Sequence, residues 1–169
     1  MCKRSIHFFI QMKIYSLLIF FIIPYLLIAQ DKKEINTVES IRVVESNIYF
    51  QAFMDPNSDI SIINASRIAV MNASTDMNEN MGREIVFKVT NEKGEYKTIN
   101  SRVAGVTKVK TENGEEEKYL VEFTCGINYK NEVFLKKKIK VALVKRENKE
   151  QKLLLGKNWL GEEYKVIQK

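Results

Sequence analysis

Asp55 is the residue whose position in the sequence best suits acid–base chemistry. It follows the apolar run Ile48–Met54 and is followed by three turn-forming residues, Pro56, Asn57 and Ser58. A carboxylate just after a buried strand can be held in a partly dry place, where it gains the properties of a catalytic acid or base. The same residues also fit a plain surface turn between two strands, so this stretch alone leaves both interpretations open.

A second stretch of interest lies near the C-terminus, about one domain length further along the chain. Residues 153–160 read Leu-Leu-Leu-Gly-Lys-Asn-Trp-Leu, which is an apolar run, a glycine, a cation and a short apolar segment. We interpret Trp159, the single tryptophan, as a core anchor rather than a substrate contact.

In this order and at this separation, the two stretches resemble the retropepsin-like aspartic peptidases. More narrowly, they are similar to the small bacterial family often labelled "ATP-dependent zinc protease". The first motif of that family reads Ala-x-apolar-Asp-Thr-Gly-Ala-x-Thr-Ser-x-Leu-x-Ala, and residues 52–65 here read Ala-Phe-Met-Asp-Pro-Asn-Ser-Asp-Ile-Ser-Ile-Ile-Asn-Ala. The likeness spans roughly residues 38–169 and includes the Lys-Thr-Glu-Asn-Gly turn at residues 110–114.

The resemblance implies an aspartic endopeptidase that acts on a peptide or protein, with Asp55 as the catalytic residue. Such enzymes hold two carboxylates against one water, so a chain with one motif is implied to work as a homodimer. The implied active-site loop is Pro56, Asn57, Ser58 and Asp59. The supporting loop implied beneath it is Leu155, Gly156, Lys157 and Asn158.

The resemblance also implies an ion pair between the two loops. In retropepsins the cation of the second motif pairs with the acid four residues after the catalytic aspartate, which here gives Lys157 and Asp59. Lysine keeps the positive charge of the usual arginine but loses its bidentate fork.

The chain departs from the family motif at the two residues that follow Asp55. Pro56 replaces a threonine whose hydroxyl ties the two active-site loops together, and proline has neither a hydroxyl nor a backbone N–H. Asn57 replaces a glycine; it tolerates positive φ well but adds a side chain. An alternative function is therefore a catalytically inactive retropepsin-like module that binds a peptide or an envelope partner.

The composition argues against several other classes of function. The single histidine is His7, which lies in an N-terminal leader of residues 1–29, and Cys125 is the only cysteine outside this leader. A His-based zinc site, a serine triad and a Cys–His dyad therefore do not fit the domain, and no glycine-rich phosphate loop occurs. The formal net charge of +6 comes from scattered basic residues. We expect no cofactor, no metal ion and no nucleic-acid partner, and we expect Cys125 to be buried.

Residues 1–29 have the pattern of a signal peptide, which predicts export to the periplasm or the medium. A basic start precedes a charge-free run from Ile14 to Gln30, with Ala29 at a plausible cleavage point and Met12 as an alternative start. A competing interpretation is an uncleaved membrane anchor, because the run is near the lower limit of about 17 residues for a spanning helix. We predict a polar lead-in at residues 30–38 and the retropepsin-like domain at residues 39–169.

The remaining pattern predicts an all-β fold. Short alternating apolar segments separated by turn signals indicate a small barrel or sandwich, and the resemblance favours a small closed β barrel of the retropepsin type. We expect one short C-terminal helical turn at residues 158–161. In the middle of the chain we predict a long strand over residues 96–111 bent at Gly105, a turn over residues 126–131 and a strand over residues 133–146.

Overall fold

A computed structural model of the protein describes residues 32–111, 114–129 and 133–168. Across these ranges the chain is all-β with one short α-helix, as predicted, and one 3₁₀ turn at Met77–Asn80. The strands are β1 (Lys33–Asn36), β2 (Val38–Val43), β3 (Ile48–Met54), β4 (Ser61–Val70), β5 (Glu84–Thr90), β6 (Tyr96–Arg102), β7 (Gly105–Thr111), β8 (Gly114–Tyr129), β9 (Val133–Val144), β10 (Leu153–Leu155) and β11 (Tyr164–Ile167), and the helix is α1 (Lys157–Leu160).

Six strands close into a ring in the order β10, β3, β2, β8, β9 and β4, and β10 completes the ring by pairing with β4 as well as β3. The β5–β6 hairpin extends from β4, and β7 pairs with the first half of β8. The strands β1 and β11 form a separate two-stranded parallel sheet. Residues 33–36, which the sequence places in the lead-in, therefore form a strand.

The alternation of apolar residues in β3 shows how the sequence builds the core. Ile48, Phe50, Ala52 and Met54 are buried, whereas Tyr49 between them is exposed. Successive side chains of a strand point to opposite faces, so one face of β3 enters the main hydrophobic core. Full burial of each large apolar side chain there stabilises the fold by about 1.5–3 kcal/mol.

A second and smaller hydrophobic cluster lies apart from the main core. Its buried members come from β4, β7, β8 and β9 and are Ile62, Val109, Leu120, Ala142 and Val144. Two partly buried residues pack against it, Ile60 of the loop after Asp55 and Leu154 of β10. The small cluster therefore connects the loop after β3 with the strands on that side of the ring.

The prediction of one bent strand over residues 96–111 is wrong, because the chain changes partner in the middle. Residues 96–102 form β6 and pair with β5, whereas residues 105–111 form β7 and pair with β8. Gly105, at the junction, has a φ of 152°, a conformation that residues with a β-carbon rarely adopt. The glycine that the sequence suggested as a bend is therefore the first residue of a new strand.

The predicted turn over residues 126–131 is also misplaced, since β8 continues to Tyr129. Gly126 lies opposite Arg42 of β2 on one side and Lys136 of β9 on the other, so it is the middle residue of three paired strands. The apolar alternation continues past it, with Ile127 buried two residues after Cys125. Gly126 is therefore a residue of a central strand and not part of a turn.

The predicted signal peptide at residues 1–29 lies outside the described residues. Within the part of the chain that the structure describes, no helix is long and apolar enough to cross a membrane.

Candidate functional site

Asp55 lies immediately after β3, half-buried, at the start of a tight loop. Its backbone N–H donates to the carbonyl of Leu155 at 2.9 Å, which continues the β3–β10 pairing by one residue. Its carboxylate Oδ1 accepts the backbone N–H of Asn57 at 2.9 Å, and its carbonyl accepts the N–H of Ser58 at 3.2 Å. These bonds fix both the backbone and the carboxylate of Asp55, and Oδ2 accepts no hydrogen bond from the described residues.

Residues 153–158, which we call the supporting segment, pack against the loop of residues 55–60 and hold it in place. The N–H of Lys157 donates to the Ser58 carbonyl at 2.7 Å, while the Ser58 hydroxyl donates to the Ile60 carbonyl at 2.8 Å. Gly156 lies so close that a β-carbon there would be 2.6 Å from the Ser58 carbonyl oxygen. Only glycine fits this contact, so the structure brings the two sequence motifs together.

Ser61 joins the two motifs from inside the protein, a role that the sequence did not reveal. It is fully buried. Its hydroxyl donates to Oδ1 of Asn158 at 2.6 Å and accepts the N–H of Gly156 at 3.0 Å. The Asn158 amide donates in turn to the Lys140 carbonyl at 2.7 Å, which anchors the supporting segment to β9. A serine inside an apolar run was the available signal, because a buried hydroxyl requires partners.

The predicted ion pair between Asp59 and Lys157 is present. The Lys157 ammonium lies 2.7 Å from the Asp59 carboxylate, which confirms the predicted contact between the two loops. The two side chains are 57% and 88% exposed, for Lys157 and Asp59 respectively. Exposed pairs contribute under about 1 kcal/mol, so this contact orients the loop more than it stabilises it.

Pro56 and Asn57 form the exposed tip of the loop. The N–H of Asn57 is used by the Asp55 carboxylate, and the bond from Ser58 to the Asp55 carbonyl closes the turn. Proline at the second position suits such a turn because its φ is already fixed. The residues that depart from the family motif thus shape a regular turn and leave the Asp55 carboxylate anchored.

The chain supplies one carboxylate at this place, and the described residues bring no second acid into hydrogen-bonding contact with Asp55. Among them, no group of three or more His, Cys, Asp or Glu side chains is arranged to hold a metal ion. A lone carboxylate of this kind can accept or donate one proton. The described residues of one chain therefore do not form a pair of carboxylates at this place.

Trp159 packs behind the supporting segment and is buried, as predicted. Its indole N–H donates to the Cys125 carbonyl at 3.2 Å, and its ring stacks on Tyr164 with the ring centres 5.2 Å apart. The Lys137 ammonium donates to the Trp159 carbonyl at 3.1 Å. Helix α1, which includes the last two residues of the supporting segment, is therefore attached to β8, β9 and β11.

Comparisons with known proteins supply a structural neighbour. Neither a protein-family model nor a curated protein matches the chain. The chain is similar to the crystal structure of Lpg0085, a protein of unknown function (DUF785) from Legionella pneumophila subsp. pneumophila str. Philadelphia 1. The match covers 82% of this chain and 95% of the Lpg0085 chain, with a TM-score of 0.59 and 18% sequence identity. At this level of identity the likeness shows the fold alone.

Proposed function

We propose that the protein is an exported aspartic endopeptidase that works as a homodimer, with Asp55 of each subunit forming the catalytic pair. The observation that carries the proposal is the position of Asp55, which lies at the end of a core strand on a loop locked from below by the supporting segment. Its carboxylate is anchored through one oxygen by the Asn57 N–H, and the other oxygen is free of described partners. A catalytic carboxylate must be held in one position and must remain accessible to water and substrate.

The proposed chemistry divides one proton between two carboxylates. Like charges a few ångströms apart do not both ionise readily, so one Asp55 is protonated and the other ionised. The ionised carboxylate accepts a proton from the attacking water, and the protonated one donates to the carbonyl oxygen of the peptide bond. The proposal that the protein is exported rests on the signal peptide expected at residues 1–29.

The test is digestion of a peptide library at several pH values by the unaltered protein and by Asp55→Asn. Asparagine keeps the shape of the side chain and the acceptor for the Asn57 N–H, so the fold should persist while hydrolysis is lost. Hydrolysis should be fastest at acidic pH, where the pair holds one proton. Asp76→Asn is the matched control, because it removes an exposed carboxylate at the start of the 3₁₀ turn, outside the Asp55 loop, and keeps the acceptor for the Asn78 N–H. Equal cleavage patterns for the unaltered protein and Asp55→Asn would refute the proposal.

A second candidate is a non-catalytic module of the same fold that binds a peptide or an envelope partner. The observation that favours it is the exposed Pro56-Asn57 tip, where the family motif has Thr-Gly. Even a small misplacement of the water lowers a rate by about a hundredfold. The double variant Pro56→Thr with Asn57→Gly should raise hydrolysis if the rest of the site is sound. No hydrolysis by either protein at any pH would favour the binding module.

A further inference from the structure

A surface groove lies where β7 and the start of β8 face the segment that follows β9. It has a volume of about 640 Å³, and its lining comes from residues 109–111, Glu116, Lys118, residues 144–149 and Ile62. We call it the basic groove. Asp55 is not among its lining residues, although the small hydrophobic cluster connects the groove to Ile60 of the Asp55 loop.

The floor of the basic groove is apolar. Ile62, Val109 and Val144 line it, and all three belong to the small hydrophobic cluster described above. The floor is therefore fixed by three different strands, β4, β7 and β9. A rigid apolar floor provides area on which a ligand's side chains can lose contact with water.

The walls carry an excess of positive charge. Two carboxylates line the groove, and each already pairs with a lysine: Glu116 with Lys118 at 2.5 Å and Glu147 with Lys145 at 3.4 Å. The lysine at position 118 holds the pKa of the Glu116 carboxyl below its usual value through a hydrogen bond. Both acids of the groove are therefore occupied.

Two cations of the walls, Lys110 and Arg146, make no ion pair with any residue that the structure describes. Arg146 is half-buried, and burial lowers the pKa of its guanidinium. Its Nε donates to the Gln151 carbonyl at 3.3 Å, and its backbone N–H donates to Oδ1 of Asn64 at 2.8 Å. The backbone and the Nε of Arg146 are thus fixed, and the Nη1 and Nη2 groups of its guanidinium donate to no residue that the structure describes. A partly buried cation without a counter-charge strongly favours a ligand that brings a carboxylate.

We propose that the basic groove binds an extended acidic peptide segment, with a carboxylate on Arg146 and an apolar side chain on the floor. An extended chain projects alternate side chains in opposite directions, so acidic and apolar residues in alternation reach the walls and the floor together. An acyl chain fits the groove less well, because nine of the twelve lining residues are charged or polar and an acyl chain brings one carboxylate at most. The site is a docking surface, and it does not depend on catalysis by Asp55.

The test measures fluorescence anisotropy of a labelled octapeptide of alternating Glu and Val, capped at both ends, with the purified protein. The matched peptide has Gln in place of Glu. We expect the Glu–Val peptide to bind and the Gln–Val peptide to bind at least about tenfold more weakly, because charged hydrogen bonds to Arg146 are lost. Arg146→Gln should weaken the Glu–Val peptide by about tenfold as well. Lys97→Gln removes the same charge from an exposed position on β6, outside the groove, and should leave binding unchanged.

Thermal unfolding of each variant shows whether the variant is folded. If Arg146→Gln does not fold, Lys110→Gln on the opposite wall is used in its place. Asp55→Asn should bind the Glu–Val peptide like the unaltered protein, so failure of the groove and failure of catalysis are distinguished. The proposal is overturned by absence of binding, by equal binding of the two peptides, or by equal behaviour of Arg146→Gln and Lys97→Gln. Displacement of the peptide by laurate or by an oligonucleotide of equal charge, as readily as by unlabelled peptide, would overturn it too.

Discussion

Gly156 packs directly against the carbonyl oxygen of Ser58, so closely that the space for a β-carbon is already taken. An ideal β-carbon on Gly156 would lie 2.6 Å from that oxygen and 2.9 Å from the Ile60 carbonyl oxygen. Both obstacles are backbone atoms, which cannot swing aside as a flexible side chain does. The backbones of the Asp55 loop and the supporting segment therefore leave no room for a side chain at Gly156.

Gly156→Ala is therefore expected to lower the free energy of unfolding by about 3 kcal/mol, because overpacking against backbone forces the loop and the supporting segment apart. Chemical denaturation would measure the loss. Gly94→Ala is the comparator: Gly94 has a φ of 81° but a β-carbon there meets no atom within 4 Å. It should cost about 1 kcal/mol from backbone strain alone. Equal losses for the two variants would mean that the steric overlap at Gly156 is not felt.

Ser61→Ala is expected to destabilise the protein by about 1–3 kcal/mol, since it leaves the Gly156 N–H and the Asn158 amide oxygen without their buried partner. Ser40 is an exposed serine on β2, and Ser40→Ala should change stability by less than about 0.5 kcal/mol. The measurement is the denaturation midpoint of both variants. A neutral Ser61→Ala would show that the hydroxyl does not hold the two motifs together.

Removal of the Asp59 carboxylate is expected to have a small effect that depends on salt. Asp59→Asn should cost under about 1 kcal/mol at low ionic strength, because both partners of the Asp59–Lys157 pair are largely exposed. The loss should shrink further in about 1 M salt, where charges are screened within about 3 Å. A double-mutant cycle with Lys157→Gln isolates the pair. A coupling well above 1 kcal/mol would contradict the exposed geometry.

Cys125 is expected to be unreactive in the folded protein. Burial, with a smaller effect from the Glu45 carboxylate, raises the pKa of its thiol from 9.0 to about 12. The thiolate is the reactive form, so iodoacetamide at pH 8 should modify Cys125 only after unfolding. The unfolded chain releases this proton above pH 9 and the folded chain does not, so the thiol's contribution to stability is present below pH 9 and is lost as the pH rises towards 12.

Cys2→Ser makes Cys125 the sole thiol of the chain and is the protein to use for the labelling experiment. Mass spectrometry of the intact protein after labelling reports the modified fraction directly. Rapid native labelling would show that β8 opens around this residue.

The purified protein is expected to be a dimer if its Asp55 residues act as a pair. Light scattering should give twice the monomer mass of 19.7 kDa, or twice the mass after leader removal. Asp55→Asn should keep the same mass, since asparagine has nearly the size and shape of aspartate. A strict monomer at high concentration would leave each Asp55 alone and would remove the peptidase proposal.

The meeting of the two motifs was predicted from the resemblance to the retropepsin-like peptidases, which implies that the second motif packs beneath the first. An apolar run that ends in Asp55, and another that ends in Gly156, are both visible without knowledge of their partners. The alternation in β3 likewise identifies its buried face by period alone. The Asp59–Lys157 contact followed from the resemblance and is present in the structure.

What the sequence could not provide depends on residues far apart in the chain. Ser61 and Asn158 are separated by 97 positions, and nothing in the local pattern of either indicates the bond between them. The change of partner at Gly105 is equally non-local, because the same alternation fits one bent strand or two strands with different neighbours. The basic groove is formed by residues of four strands and one loop, so no single window of sequence contains it.

The position of β10 in the ring has a consequence for how the protein is made. Leu153–Leu155 closes the ring between β3 and β4, and β11 pairs with β1 from the opposite end of the domain. During synthesis from the N-terminus, neither contact can form until β10 and β11 have been made. Until then the edges of β3 and β1 are unpaired and can associate with other strands. Removal of residues 153–169 would take away both β10 and β11, and we expect the truncated protein to be insoluble because these edges then stay unpaired.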